Sequence, residues 1–367
     1  VDLALISLVL NSKRRSMLPP LAAALLSLGL VAPPQVASIQ LLAKGPQETH
    51  KRVRKVHSPF LRAAREQLPG PFVVVGIGDS GTRGVKTLME RLGVNMCSNS
   101  SHGFSQDNKD TKPVHGFINA LLRASKGHVS SRRHHRSKAF RQAVRAEVRG
   151  AKKTHDCIVQ QLRQTNWTGS TDFPWGYKNP KHIHLLPVMD KAFHRTQRML
   201  AVARDPRDIC SGGNKEQLNK FGSMVESRWP ALRGNGTEQQ CLQFWADVWG
   251  DVLHEYGQDP RFRVVRIEDL VLPDPAVEGN SARKTLDCLL QHAQLPTPAP
   301  VVLGGLLSRM HSFSSAYAGN HKPRPLKRYL ENLTSSMDGN FQTVMLQLGY
   351  TADSYGQRAP GHPAVCV

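Results

Sequence analysis

Residues 72–88, FVVVGIGDSGTRGVKTL, pass from an apolar run of strand length into a glycine-rich turn and then into a helical pattern. Glycines at 76, 78 and 81 let the main chain turn sharply and bring its N–H groups close to a ligand. The helix that follows adds the positive end of its dipole, so the expected occupant is an anion, a nucleotide phosphate first of all. Ser80 and Thr82 offer hydroxyls at the same mouth, and Arg83 offers a planar cation. On the turn alone, a plain strand-to-helix connection without a ligand is the competing reading.

Three chemistries use such a turn: hydrolysis or transfer from a nucleoside triphosphate, dinucleotide binding, and sulfuryl transfer. A Walker-type loop carries Gly-x-x-x-x-Gly-Lys-Ser/Thr, whereas Gly81 is followed by Thr82 and Arg83, so the lysine is missing. A dinucleotide turn fits Gly76-x-Gly78-x-x-Gly81 but needs a carboxylate about 20 residues on for the ribose. Residues 96–101, MCSNSS, supply none.

Two further segments carry candidate cations. Lys178 in WGYKNPKHIHLL stands just before a proline-fixed turn, at the end of a short aromatic run, and is held at an element terminus. A solvated lysine beside a turn is the ordinary alternative. Arg204 in MLAVARDPRDICS ends an apolar run of strand length, and Asp205-Pro206 suits the N-cap and first position of a helix. An arginine there is a fork for phosphate, with an Arg-Asp surface pair as the alternative. A fourth segment, RFRVVRIEDL over 261–270, reads as a buried strand running into a turn or helix, behind a core helix over 242–256 with Phe244, Trp245, Trp249 and Leu253. It informs on fold. His182 and His184 alternate along a strand-like run, with no third metal ligand nearby.

In this order the four segments resemble the sulfotransferases that use 3′-phosphoadenosine-5′-phosphosulfate (PAPS), over residues 70 to 352. The glycine turn is similar to their 5′-phosphosulfate loop, and RDPRD to their 3′-phosphate segment. WGYKNP is similar to the Trp-Gly-x-Lys-x-Pro stretch of bacterial and algal members and to the Lys-Asp-Pro of tyrosylprotein sulfotransferases. RVVRIEDL and the stretch 317–350, with HKPRPLKR, resemble later segments of the family, carbohydrate sulfotransferases included.

The resemblance implies an α/β fold, a three-layer sandwich around a central parallel sheet of the P-loop NTPase-like sulfotransferase kind. It implies PAPS as donor, no metal, and an acceptor hydroxyl on a carbohydrate, a protein or a small molecule. Gly78, Asp79, Ser80, Gly81, Thr82 and Arg83 then hold the phosphosulfate, and Arg204 with Ser211 the 3′-phosphate. Lys322 and Arg324, beside Lys327 and Arg328, belong to a segment that folds over the nucleotide in relatives. Two departures stand out: Asp79 occupies the place of the loop's catalytic lysine, and Ser211 stands seven residues after Arg204 where the family has its serine at eight, here Gly212. Lys178 carries over as the catalytic cation. Asp107 is the first candidate for the base among His102, Asp107 and Asp110. A dinucleotide-dependent oxidoreductase and a basic polyanion- or nucleic-acid-binding protein on a degenerate nucleotide fold are the other classes weighed.

The elements that must position these residues fit one large domain over 68–356, followed by a tail over 357–367. Residues 1–67 read as a targeting segment and basic stem. No charged residue occurs over 16–43, but prolines at 19, 20, 33 and 34 limit the good helix to about 12 residues, which favours a cleaved signal over a membrane anchor. Membrane association through 16–43 and an organellar transit peptide stay open. Sequons at Asn99, Asn166, Asn235 and Asn332, with six cysteines lacking zinc spacing, fit a secretory, Golgi-lumenal protein. There are 49 Lys plus Arg against 28 Asp plus Glu, net +21, and a basic helical insertion over 124–155 holds much of the excess. That field suits polyanion contact through 123–153, and aromatics at 6% do not interleave with it as stacking platforms would.

Overall fold

Phe72–Gly76 forms β1, entirely buried, and its side chains part alternately to two faces. Val73 and Val75 enter one hydrophobic core, and Phe72 and Val74 enter another. The same alternation divides β4, Arg198–Ala203, and β5, Phe262–Arg266. A strand buried on both faces reads as a continuous apolar run, which is why FVVVG and MLAVA carry no polar alternation.

The computed structural model describes residues 70–97, 115–125, 129, 133–164, 173–211, 216–225, 236–271, 281–306 and 335–351, all within one compact unit. The sheet also contains β2, Asn95–Met96, and β3, Trp175–Lys178. Its order is β2-β3-β1-β4-β5, with every pair parallel. This is the α/β three-layer architecture expected, with helices covering both faces. The N-terminal segment 1–67, the four sequons and the tail 357–367 lie outside the described residues.

On one face pack α1, Thr82–Leu92, α8, Ile267–Val271, and α9, Ser281–Ala293. The other face takes α2, His115–Ser125, α3, Lys138–Gln164, α4, Leu186–Ala192, α5, Pro206–Ser211, α6, Glu216–Val225, α7, Gly236–Tyr256, and α10, Ser335–Gln347. The chain therefore leaves β1 toward one face and leaves β3 and β4, its neighbours, toward the other. Such a reversal opens a crevice at the carboxyl ends of parallel strands, where ligands of open α/β sheets bind.

The stretch expected as a basic helical insertion over 124–155 is helical over its described residues 138–155, which pack on the sheet. Its long helix α3 runs on to Gln164 and buries Phe140, Ala143, Val144, Val148 and Ala151 beside β3 and α4. The chain direction of α3 opposes that of β3. His155 stacks on Phe173 and meets Trp175 at the strand's start, whereas Glu147 bonds Tyr177 and His182 at its end. The first residues of α3 thus extend toward the rim where the strands finish.

Two disulfides, Cys97–Cys157 and Cys210–Cys241, tie the end of β2 to α3 and α5 to α7; Cys288 is disulfide-bonded as well. Cys97–Cys157 spans 60 residues of sequence. Chain entropy puts the effect of such a closure at up to about 4 kcal/mol. Cys97→Ala with Cys157→Ala is expected to lower stability by about 2–4 kcal/mol in non-reducing denaturant titrations, with helical content retained by circular dichroism.

Candidate functional site

Three adjacent strands deliver the candidate residues to one rim. At the end of β1, Gly76 is compressed: a Cβ there would lie 2.5 Å from Ser80 Oγ and 2.9 Å from the Val202 carbonyl oxygen, so no other residue fits. The turn closes with Ser80 N–H donating to the Ile77 carbonyl at 3.1 Å. Asp79 and Gly81 both take left-handed backbone, φ 64° and φ 87°. Gly81 also lies under Ile267, whose side chain would meet a Cβ at 2.7 Å.

Gly81 caps α1 without a side-chain hydrogen bond, and no acid stands in the helix's first turn. The positive end of α1 is therefore unneutralised by its own sequence. Thr82 is buried and Arg83 exposed, and Gly78 and Asp79 are half-buried. Ser80 is 1% exposed, and its Oγ is buried with no hydrogen-bond partner among the described residues. A buried hydroxyl left unpaired costs about 1–3 kcal/mol, so this one marks a place where a ligand oxygen or water belongs.

On one side of the loop stands Lys178, the last residue of β3, in register with Val74 and buried. Asn179 N–H donates to the Val74 carbonyl at 3.0 Å, and Asn179 Oδ1 accepts from Lys181 N–H at 3.1 Å to start a 3-10 turn over Pro180–Leu185. The strand-like run expected around the histidines is this turn. Pro180 and the Asn179 cap favour it over extension of the strand. His182 Nε2 pairs with Glu147 Oε2 at 2.7 Å, and the other oxygen of Glu147 accepts from the Tyr177 hydroxyl. A buried carboxylate thus fixes residues on both sides of Lys178.

Across β1 lies Arg204, one residue beyond β4. Its Nη1 donates to the Asp79 carbonyl at 2.7 Å, so the arginine holds the strained loop directly. Its Nε and Nη2 donate to Asp208 Oδ2 at 3.1 and 3.0 Å. The Arg-Asp pairing weighed from the sequence is present, and it is buried rather than on the surface. Asp205 caps α5 by accepting from Arg207 N–H at 2.9 Å, and Asp205 N–H donates to Glu268 Oε1 at 2.8 Å. Glu268 also accepts from the Tyr350 hydroxyl at 3.0 Å. Arg266 Nη1 donates to the Gly349 carbonyl, and Arg207 Nη2 to the Thr351 carbonyl at 3.2 Å.

Beside Ile77 and Gly78 opens a small cleft, partly open to solvent, walled by Ile209 of α5, Gln217 and Leu218 of α6, and Phe244 and Trp245 of α7. Gln217 donates to the Gly76 carbonyl at 3.4 Å and pairs with His184 Nε2 at 3.2 Å. The indole N–H of Trp245 is buried without a partner among the described residues.

Ser211 is the last residue of α5, its side chain outside the described residues. Asp107, His102, Asp110, Lys322, Arg324, Lys327 and Arg328 also lie outside them. Glu147, Gln217, Glu268 and Tyr350 support the rim and were missed as site residues. Glu147 had a signal: it is the one acid in 138–155 and falls on the apolar arc of its helix.

No protein-family model matches the chain, and no curated protein sequence matches it. Among solved structures, it is similar to sulfotransferase STF9 from Mycobacterium avium at 14% identity, with 80% of each chain covered and a TM-score of 0.37. It is also similar to sulfotransferase STF1 from Mycobacterium tuberculosis H37Rv at 14% identity, covering 78% of this chain and 80% of that one, with a TM-score of 0.33. Likeness at this distance does not decide an activity.

Burial pushes the carboxyl of Glu268 up to about 7; Arg266 opposes the shift and Asp205 adds to it. Because the folded value lies above the unfolded one, the stability this group contributes is complete below about pH 4.5 and is lost as pH rises through about 7. Glu268→Gln is therefore expected to flatten the fall in melting temperature between about pH 5 and about pH 8. Parallel thermal melts of both proteins across that range test it, and an unchanged slope counts against the assignment.

Proposed function

We propose that the chain is a sulfotransferase that moves a sulfuryl group from PAPS to an acceptor hydroxyl on a carbohydrate, a protein or a small molecule. One observation carries this reading: β3, β1 and β4 finish side by side, so that Lys178, the Gly76–Gly81 turn and Arg204 share one rim. The order of these three along the chain is that of the phosphosulfate-binding segments the sequence resembles. The donor also fits the chemistry of the rim, since the unpaired Ser80 hydroxyl and the uncapped start of α1 both favour an anion.

In the transfer, the acceptor oxygen forms a bond to sulfur while the bond from sulfur to the bridging phosphate oxygen breaks. Adenosine 3′,5′-bisphosphate leaves, and the acceptor's proton passes to a base. Charge develops on the sulfuryl oxygens and the bridging oxygen, so the protein contributes chiefly position and electrostatics. With Asp79 where relatives have lysine, Lys178 is the cation assigned to the bridging oxygen. Arg204 has a double duty on this reading, holding the turn through Asp79 and facing the 3′-phosphate. The reading places the chain in the secretory pathway, in the Golgi lumen, and its disulfides favour an oxidising compartment. A polyanion binder on a degenerate nucleotide fold is the second reading, favoured by Asp79 in the lysine's place.

Calorimetry with adenosine 3′,5′-bisphosphate separates the two. The wild type is expected to bind and Arg204→Ala to bind at least about tenfold more weakly, one lost charged hydrogen bond. No binding by folded wild type leaves only the second reading. Lys178→Ala is expected to lower turnover by about 3–4 kcal/mol, with bisphosphate affinity little changed. Near-wild-type turnover removes Lys178 from the chemistry.

A further inference from the structure

We infer that the solvent face of α3 docks a linear acidic polysaccharide, a chain bearing carboxylate or sulfate groups, and passes it to the rim as acceptor. The acceptor role rests on the proposed function; the docking does not. At 100° per residue, Lys138, Arg141, Arg145, Arg149, Lys152 and Lys153 fall within an arc of about 120°. All six are exposed, and exposed Arg133 and Arg136 precede them. From Lys138 to Lys152 this stripe runs about 21 Å at 1.5 Å per residue, the reach of an extended polyanion rather than of one phosphate.

The pairing pattern argues the same way. Lys152 is paired with Asp156, but Arg145 and Arg149 make no hydrogen bond or ion pair among the described residues. The one acid within the stripe's span, Glu147, points to the core and is bound by Tyr177 and His182. Like charges at a spacing of four, Arg141, Arg145 and Arg149, destabilise a helix in isolation, so an anion across them gains what the helix lacks. Because α3 opposes β3, its Lys138–Arg145 end extends toward the rim that carries Lys178.

A polysaccharide is favoured over a nucleic acid by two observations. The aromatic rings in the helix are Phe140, buried against the core and stacked on His135, and His155, buried and stacked on Phe173, so neither is open to stack on a base. The helix is also cross-linked through Cys157 to Cys97, which favours an oxidising compartment.

The test uses the full chain, a fluorescein-labelled heparin oligosaccharide and anisotropy across a salt series. Arg145→Gln with Arg149→Gln is compared with Arg91→Gln and Lys284→Gln, an equal charge change at exposed positions on the opposite face. The α3 pair is expected to weaken binding roughly 30-fold and to reduce the slope of log affinity against log salt by about two. The opposite-face pair should stay within about threefold. Equal losses in both pairs, or none in either, overturn the docking surface, as does tighter binding of single-stranded DNA of matched charge at the same salt. With PAPS and a desulfated oligosaccharide as acceptor, the α3 pair should raise KM for the acceptor at constant kcat; lowered kcat at constant KM overturns the acceptor role. Stripe-dependent glycan binding by a protein that fails to bind adenosine 3′,5′-bisphosphate removes the proposed function and leaves the docking surface standing.

Discussion

The bond from Arg204 to the Asp79 carbonyl is the contact on which the rim depends. A non-glycine residue held in left-handed backbone costs of order 1–3 kcal/mol, and a hydrogen bond from a charged donor returns about as much. Asp79 can keep its conformation because a guanidinium waits across the β1–β4 boundary at 2.7 Å. That guanidinium is fixed by Asp208, and its neighbour Asp205 is fixed by Glu268. The turn thus borrows its shape from β4, β5 and the short helices that leave them, not from its glycines alone.

Two buried carboxylates flank this arrangement. Glu147 lies beneath the end of β3 and Glu268 beyond the ends of β4 and β5, and each accepts from a tyrosine hydroxyl, Tyr177 and Tyr350. Burying an acid is costly unless its oxygens are satisfied. Once satisfied, it can accept bonds only in that geometry, so each glutamate locks a strand end to an element distant in sequence. Those elements are α3 in one case and the segment 349–351 in the other. A rim braced from both sides is the preorganised surface that electrostatic catalysis requires.

Much of this was legible in the chain. Runs such as FVVVG and MLAVA announce strands covered on both faces, and a glycine turn followed by helical spacing announces a parallel unit with its ligand end at the turn. The ends of β3 and β4 were likewise readable, because Pro180 and Asp205-Pro206 punctuate them. What could not be read was partnership. At Arg204 an Arg-Asp pair could be weighed, but not that Asp208 would be the partner or that the pair would be buried, since four-residue spacing acts only once Pro206 has started a helix. The stretch 124–155 looked peripheral because its charges dominate the composition, yet the 3.6-residue recurrence of Phe140, Val144 and Ala151 marks a core face. Pairings such as Glu268 with Tyr350 join residues 82 apart and leave no local trace.

The Cys210–Cys241 cross-link joins α5 to α7, two neighbouring helices that both line the cleft beside Gly78. A preparation made in a bacterial cytosol begins life with those sulfurs reduced, its cleft walls joined by packing alone and the helix that follows Arg204 resting on one anchor fewer. Production through a secretory host, or oxidative refolding followed by thiol titration, is therefore a condition for seeing the native pocket at all.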